Sequence, residues 1–247
     1  MTSSSLHPLD NPIWHSLTSA HKHLAKGDSH ARRYPALISP LAAVESGVIQ
    51  TEKTVTPYDS LEEIIEEGES VFLFLDKKPD STDPNWKIKF TAPILQMVCQ
   101  HFIPPVLKTN APSIELLDDT FIPEMLALTQ LTEPGPFKEQ TNRMGDYYGI
   151  LQNGRLAAMS GVRLHLQDYT EVSAVCTHPD FQGKGFAKLL VAKVSQDILA
   201  NGKTPFLHVK ADNAGAIYVY EQLGFKPRRY IHFAILEHAA SNVLSSY

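Results

Sequence analysis

Residues 182–187 read Gln-Gly-Lys-Gly-Phe-Ala, and this glycine-rich turn runs directly into a stretch with helical periodicity. Phe186, Leu190, Val194 and Ile198 recur at every fourth position and predict one apolar helix face. A helix start leaves about four backbone N–H groups unpaired, and the helix dipole favours negative charge there. Glycines allow a phosphate to approach such a backbone closely. The stretch therefore predicts a site for a phosphate or a pyrophosphate.

Two common nucleotide-binding motifs do not fit this turn. A Walker A loop requires Gly-Lys followed by Ser or Thr, whereas Lys184 is followed by Gly185. A dinucleotide-binding fingerprint requires a third glycine where this chain has Lys188. The turn alone leaves open the alternative of a glycine-rich connection that binds no ligand.

The segments around the turn predict a sheet with antiparallel strands. Strands are predicted, in chain order, over 147–151, 156–166, 169–177, 205–210 and 226–236. Asn153-Gly154 is a typical hairpin turn between the first two strands. A helix over 214–223 is predicted between the last two, with Gly224 at its end.

These motifs, taken together, resemble the GNAT superfamily of acyl-CoA-dependent N-acyltransferases. The phosphate motif of that family is Gln/Arg-x-x-Gly-x-Gly/Ala, and residues 182–187 match its fixed positions. Val175-x-x-x-Pro179 before the turn matches in order and spacing, and so do Asn213 and Tyr220-Glu221-x-x-Gly224-Phe225 after it. The resemblance covers about residues 114–236, which is half of the chain.

The resemblance implies an α/β fold with a mixed, mostly antiparallel central sheet flanked by helices. It also implies acetyl-CoA as the cosubstrate. The CoA pyrophosphate would be held by the backbone amides of Gln182, Gly183, Lys184, Gly185, Phe186 and Ala187. The backbone around Val175 and Thr177 would pair with the pantetheine arm between splayed strands, and the Asn213 side chain would contact that arm.

The chemistry of such an enzyme requires no protein nucleophile, because the acceptor amine attacks the thioester directly. Tyr220 is predicted to be the general acid, since a phenol with a pKa of about 10 suits protonation of a thiolate. His208 and Glu171 are the candidate bases. His208 stands where several resembling enzymes carry a glutamate, and Glu171 would act through water. The alternative for Tyr220 is a packed helix tyrosine, and the alternative for His208 is a hydrogen-bonded structural histidine. Cys176 is interpreted as a packed side chain.

Two classes of function remain open from the sequence. The first is an N-acetyltransferase whose acceptor is a small-molecule amine or a protein N-terminus. The second is a non-catalytic sensor that binds acyl-CoA without turnover. No metal ion is expected, because His21 and His23 lie two residues apart on a predicted helix and do not share a face. The sequence does not indicate an oligomeric state.

The composition of the 247-residue chain sets wider limits. Hydrophobic residues make up 43% and charged residues 20%, which excludes wholesale disorder, and the net charge of -5 favours neither nucleic acid nor an anionic membrane as partner. No apolar run approaches the roughly 20 residues of a membrane-spanning helix. The polar start does not resemble a signal peptide, and two cysteines exclude a disulfide framework. A cytoplasmic protein is therefore expected.

The N-terminal half carries no catalytic motif. Prolines between Phe102 and Ser113 predict a linker, and hence an N-terminal α/β domain over 1–112 and a catalytic domain over 113–247. The N-terminal part is predicted to contain a helix from Asn11 to Gly27, an acidic helix opened by Ser60 and a strand over Val71–Leu75. Two interpretations are kept: a degenerate copy of the GNAT fold, as in the tandem, glycine N-acyltransferase-like branch, or a helical substrate cap.

Overall fold

The computed structural model describes residues 7–45, 58–79, 83–106 and 109–239. Its strands are β1 (Lys26–Gly27), β2 (Ala31–Arg33), β3 (Ala42–Val44), β4 (Ser70–Leu75), β5 (Trp86–Val98), β6 (Glu115–Leu116), β7 (Tyr147–Gln152), β8 (Arg155–His165), β9 (Tyr169–Thr177), β10 (Thr204–Lys210) and β11 (Lys226–His238). Its α-helices are α1 (Pro12–Thr18), α2 (Asp59–Glu62), α3 (Ile122–Thr132), α4 (Phe186–Ala200) and α5 (Ala214–Glu221). Short 3₁₀ helices cover Pro8–Asp10, Lys22–Leu24, Asp119–Phe121, Thr141–Met144 and Pro179–Phe181. Among the described residues, no helix has both the length and the apolar character needed to cross a membrane.

The chain forms two compact units. The first takes in the described residues of Met1–Pro35, Pro40–Pro93 and Ile231–Tyr247, and the second consists of Ala36–Ser39 and the described residues of Ile94–Tyr230. The predicted boundary near residue 112 lies inside the second unit, because residues 94–98 of β5 pair with β10 there. The interpretation of the N-terminal half as a degenerate GNAT copy or a substrate cap stays a prediction.

The second unit is built on a sheet with the strand order β5-β10-β9-β8-β7-β6. Neighbouring strands run antiparallel, except that β9 and β10 run parallel. Alternation along the strands places Val162, Val172 and Leu207 in a core that also contains Val191 and Val194 of α4. The opposite face is covered by α3, and its core consists of Leu117, Met125, Leu128, Tyr147, Leu156, Met159 and Cys176. This arrangement confirms the predicted class, a mostly antiparallel sheet flanked by helices.

The first unit contains a small antiparallel sheet of β1, β2 and β3, and the pairing of β4 with the end of β11. The predicted strand over Val71–Leu75 is confirmed as β4. The helix predicted from Asn11 to Gly27 is wrong beyond Thr18, where α1 ends. His21 turns inward and shares hydrogen bonds with the buried Ser16 and Tyr34, so the chain leaves the helix before Gly27, which lies in β1.

The predicted acidic helix is much shorter than expected. Its helical residues are Asp59–Glu62, and Ser60 lies inside α2 instead of capping it. Tyr58 occupies the N-cap position, and its side chain does not cap the helix. Leu61 and Ile65 are buried in the core of the first unit, so packing of these two side chains replaces the missing cap.

Candidate active site

The two parallel strands of the second unit separate after a short paired stretch. β9 and β10 pair over three positions, from Tyr169 opposite Thr204 to Glu171 opposite Phe206. β9 then continues to Thr177, and among the described residues no further backbone pairing joins it to β10. An unpaired strand edge presents N–H and C=O groups to an extended partner. The predicted pantetheine-binding residues Val175 and Thr177 lie on this open stretch of β9.

A β-bulge lies in the middle of the open stretch. Cys176 faces Met159 and Ser173 faces Gly161, so β9 has one residue more than β8 between these pairs. Ala174 supplies the extra residue with a φ of 51°, a left-handed conformation that costs a non-glycine residue roughly 1–2 kcal/mol. The bulge interrupts the regular ladder directly before Val175.

The glycine-rich turn follows β9 and opens α4 as predicted. Gly183 and Gly185 have φ angles of +75° and +81°, and a Cβ atom at either position would meet no protein atom within 4 Å. Gly185 is the N-cap and has no side chain to satisfy the first amides of the helix. The first helical hydrogen bond is donated by the Leu189 amide to the Gly185 carbonyl at 3.2 Å. The amides of residues 183–188 are therefore available to an anion, whereas the Gln182 amide, which was predicted to contribute, already donates to the Pro179 carbonyl at 3.3 Å.

The residues around this turn are arranged to keep the amides accessible. Gln182 and Lys184 are exposed together with both glycines, whereas the Phe186 side chain is buried in a core with Leu190. Ala187 is half-buried in the first turn of α4. The Lys184 ammonium lies 4.8 Å from the centre of the Phe181 ring. The buried side chain anchors the helix start, and the backbone of the turn faces outward.

Asn213 lies at the start of α5, where its side chain has a local role. Its Oδ1 accepts a hydrogen bond from the Ala216 amide at 3.1 Å, which makes Asn213 the N-cap of the helix. The residue is exposed. The cap fixes the direction of its side chain, so the contact with the pantetheine arm implied by the resemblance stays a prediction.

Tyr220 is a buried residue whose hydroxyl is not used in the packing of the core. The ring is in the core beside α4, with its centroid 6.1 Å from that of Phe225. Its hydroxyl has no hydrogen-bond partner among the described residues. Burial raises the pKa of Tyr220 to about 12, so the phenol holds its proton at neutral pH.

Glu171 is bound on both carboxylate oxygens. The Arg163 guanidinium donates from Nε to Oε2 at 2.8 Å and from Nη2 to Oε1 at 2.6 Å. Burial alone would raise the pKa of this carboxyl, but the charge and hydrogen bonds of Arg163 hold it at about 2. Glu171 is therefore an ionised, strongly paired carboxylate and a weak base in this state.

His208 is hydrogen-bonded through both ring nitrogens. Its Nδ1 lies 2.7 Å from Oε1 of Glu171, and its Nε2 lies 3.0 Å from Nε2 of Gln96. The Gln96 amide oxygen accepts a hydrogen bond from Nη1 of Arg228 at 2.8 Å, so the amide nitrogen faces His208. Burial lowers the pKa of His208, and these contacts fit a neutral ring that carries its proton on Nδ1.

In the structure, the two candidate bases lie together, and Tyr220 lies apart from them. Glu171 and His208 contact each other, whereas Tyr220 packs in the opposite face of the sheet with α4 and α5. Cys176 is buried, and burial raises the pKa of its thiol to about 11, which fits a packed side chain. Among the described residues, no cluster of His, Cys, Asp or Glu is placed to hold a metal ion.

Three residues of the site were missed by the sequence analysis: Arg163, Gln96 and Arg228. Arg163 could have been found, because a charged residue inside the apolar run of β8 faces Glu171 across a short hairpin. The sequence contains no comparable indication for Gln96 and Arg228, since the contact between them joins residues 132 positions apart.

Known proteins share this architecture and these motifs. The family described as FR47-like protein matches residues 147–233. The ribosomal protein bS18-alanine N-acetyltransferase of Escherichia coli (strain K12) is 30% identical over 119 residues, which cover 46% of this chain and 80% of that protein. A crystal structure of an acetyltransferase from the GNAT family of Novosphingobium aromaticivorans is 36% identical, with a TM-score of 0.83 over 95% of this chain and 100% of that chain.

A more distant structure shares the fold alone. The GCN5-related N-acetyltransferase-like protein from Streptococcus suis is 16% identical, with a TM-score of 0.51 over 86% of this chain and 81% of that chain. The chain belongs to the GNAT family, and it is an acyltransferase. Its named relatives are N-acetyltransferases. Its place in the tandem, glycine N-acyltransferase-like branch stays a prediction.

Proposed function

We propose that this acyltransferase moves the acetyl group of acetyl-CoA to a primary amine by direct attack. The observation that carries the proposal is that two features are adjacent in the chain. The open edge of β9 is followed directly by a turn at the start of α4 whose geometry suits an anion. An extended pantetheine arm suits the first feature and a pyrophosphate suits the second. Exposed Gly183 and Gly185 leave room for the phosphates.

The reaction requires one new bond, one broken bond and one proton transfer to sulfur. The amine nitrogen would bond to the acetyl carbonyl carbon, and the bond from that carbon to sulfur would break. Tyr220 would give its phenolic proton to the departing thiolate, and the proton released by the amine would restore the phenol through solvent. Products are the acetylated amine and free CoA.

The raised pKa of Tyr220 is compatible with this role. A phenol with a pKa of about 12 would be a poor donor to a thiolate in bulk water, where thiols have pKa values of about 8.5. Burial raises the pKa of both buried thiols of this protein, Cys99 and Cys176, to about 11. A CoA thiolate that loses solvation next to the Tyr220 hydroxyl would likewise become a stronger proton acceptor, which favours proton transfer from the phenol.

Acceptor specificity is the open part of the proposal. A small-molecule amine and a protein N-terminus both supply the required primary amine. The E. coli relative is named for an alanine of ribosomal protein bS18, which makes peptides that begin with alanine a reasonable first set of acceptors.

The test is transfer itself. Purified protein is incubated with acetyl-CoA and a panel of amines that includes alanine-starting peptides, and released CoA thiol is followed with a thiol reagent. A sample without acceptor measures hydrolysis, and mass spectrometry identifies the acetylated product. Acceptor-dependent CoA release supports the proposal. Tight CoA binding without transfer to any acceptor would favour the acyl-CoA sensor instead.

A further inference from the structure

Five polar side chains form a continuous chain of hydrogen bonds across the sheet of the second unit. Arg228, Gln96, His208, Glu171 and Arg163 belong in this order to β11, β5, β10, β9 and β8. Gln96 and His208 are direct cross-strand partners. We call these five residues the polar ladder.

The polar ladder lies on one face of the sheet. The neighbours of its members along the strands, Leu95, Val162, Val172 and Leu207, point into the core beside α4. Since side chains alternate along a strand, the ladder residues of β5, β8, β9 and β10 point to the other face. Only 4% of the His208 side chain and 1% of the Glu171 side chain are exposed, so their contact is shielded from water.

The link between Glu171 and His208 lies where the two parallel strands separate. Glu171 and Phe206 form the last backbone pair of β9 and β10, and two residues further along β10 the His208 ring reaches back to Glu171 at 2.7 Å. We propose that this hydrogen bond fixes the start of the opening between β9 and β10, and that Glu171 and His208 are positioning residues instead of proton acceptors. The inference rests on the proposed function, because the opening is where the pantetheine arm would bind.

The ends of the ladder keep His208 from taking a proton. Arg228 holds the oxygen of the Gln96 amide, so the amide nitrogen donates to Nε2 of His208. If the His208 ring were protonated, its Nε2–H would point at the NH₂ group of Gln96, and both groups are hydrogen-bond donors. If the Gln96 amide turned over to avoid this, its NH₂ group would point at the guanidinium of Arg228, which is also a donor. Among the described residues, the charged groups that influence the pKa of His208 are Glu171, Arg163 and Arg228. The single carboxylate among them is already paired with Arg163.

The state of the His208 ring can be tested without any ligand. In the ¹⁵N-histidine spectrum of the whole protein, we expect the signal of His208, assigned by its loss in His208→Asn, to show a neutral ring with its proton on Nδ1 from pH 5 to pH 8. In Gln96→Glu, the new carboxylate can accept from Nε2, and the apparent pKa of His208 should rise by about 1–3 pH units. Gln100→Glu, on the exposed residue that follows β5, is the matched control and should leave the ring unchanged. A wild-type His208 that protonates within this pH range would overturn the inference.

Two substitutions of His208 separate positioning from proton transfer. His208→Asn keeps a donor near the place of Nδ1 and has no titratable group, whereas His208→Ala removes the link to Glu171. For a positioning role, His208→Asn should keep CoA affinity and turnover within about fivefold, and His208→Ala should weaken CoA binding at least tenfold at every pH. The change of kcat/KM with pH near neutrality should be the same in His208→Asn as in the wild type.

A different pair of results would contradict a positioning role for His208. If both variants bind CoA like the wild type and lose turnover together, His208 accepts the proton and the inference is wrong. Circular dichroism and the melting temperature show whether His208→Ala is folded, and His208→Asn decides the question even if it is not. A wild-type protein that binds no CoA would instead contradict the proposed function, while the histidine spectrum would still test the ladder.

Discussion

The glycine-rich turn makes one quantitative comparison possible within a single helix. Gly185 precedes α4 with a φ of +81°, and Gly202 follows it with a φ of +70°. A Cβ atom at either position would meet no protein atom within 4 Å. Alanine therefore imposes the same kind of cost at both sites, the left-handed backbone conformation, which is roughly 1–2 kcal/mol. The two variants differ in one respect: only Gly185 belongs to the turn that would hold the pyrophosphate.

The expected magnitudes follow from this difference. Both Gly185→Ala and Gly202→Ala should lower the melting temperature by about 2–8 °C, since 1 kcal/mol corresponds to about 2–4 °C for a chain of this size. The added methyl group at Gly185 would keep a phosphate from the amides. Losing one hydrogen bond to a charged group costs about 1.5–3 kcal/mol, so CoA should bind about 10- to 150-fold more weakly. Gly202→Ala should bind CoA like the wild type.

The comparison is made by calorimetric titration of CoA into the three folded proteins under one buffer condition. The melting curves, measured on the same samples, show whether the two alanines cost similar stability. Equal CoA affinity in Gly185→Ala and Gly202→Ala would refute the assignment of the turn as the pyrophosphate site. A loss of affinity in both variants would mean that the helix as a whole, and not its first turn, governs binding.

Three further results are expected. Tyr220→Phe should lower kcat by about 10²- to 10⁴-fold with little change in melting temperature, and a wild-type rate in single-turnover kinetics would show that Tyr220 only packs. Glu171→Gln should lower the free energy of unfolding by about 3–5 kcal/mol in urea denaturation, because the mostly buried Arg163 would lose the negative charge of this partner. Since the folded pKa of Glu171 is depressed to about 2, the stability from this pair is complete above the unfolded pKa and should be lost as the pH falls from about 5 towards 2; a Glu171→Gln protein should lack this part of the pH dependence. Lys184→Ala should weaken CoA binding by less than about fivefold, with a difference that shrinks as salt is added; a large, salt-independent loss would contradict a screened surface contact.

The second unit could largely be predicted because patterns of neighbouring residues in the sequence determine most of its strands and helices. Alternation and the Asn153-Gly154 turn locate β7 and β8, and Asn153 and Gly154 both adopt the positive φ angles that this hairpin turn requires. β9 has the predicted bounds, and α4 follows the glycine-rich turn as predicted. The glycine-rich turn could be found for the same reason, since its glycines and the following helix are adjacent in the chain.

Features that depend on distant contacts could not be predicted. β5 has no clear period because its first part and its last part contact different surroundings, and its last five residues are fixed by pairing with β10. His21 ends the first helix early through contacts with Ser16 and Tyr34, which pattern analysis cannot see. The polar ladder is of the same kind. Only the contact between Arg163 and Glu171 lies within a hairpin, and the rest joins strands far apart in sequence.

The pairing of β4 with β11 has a consequence for synthesis of the protein. The residues of β11 that pair with β4 lie more than 150 positions further along the chain. At a synthesis rate of about 5–20 residues per second, β4 would remain without this partner for roughly 10–30 s on the ribosome. Meanwhile the strand Ser70–Leu75 carries its apolar side chains and an unpaired edge. Most of the first unit is thus synthesised early, but it receives its last strand, the end of β11, only after the second unit has had time to fold.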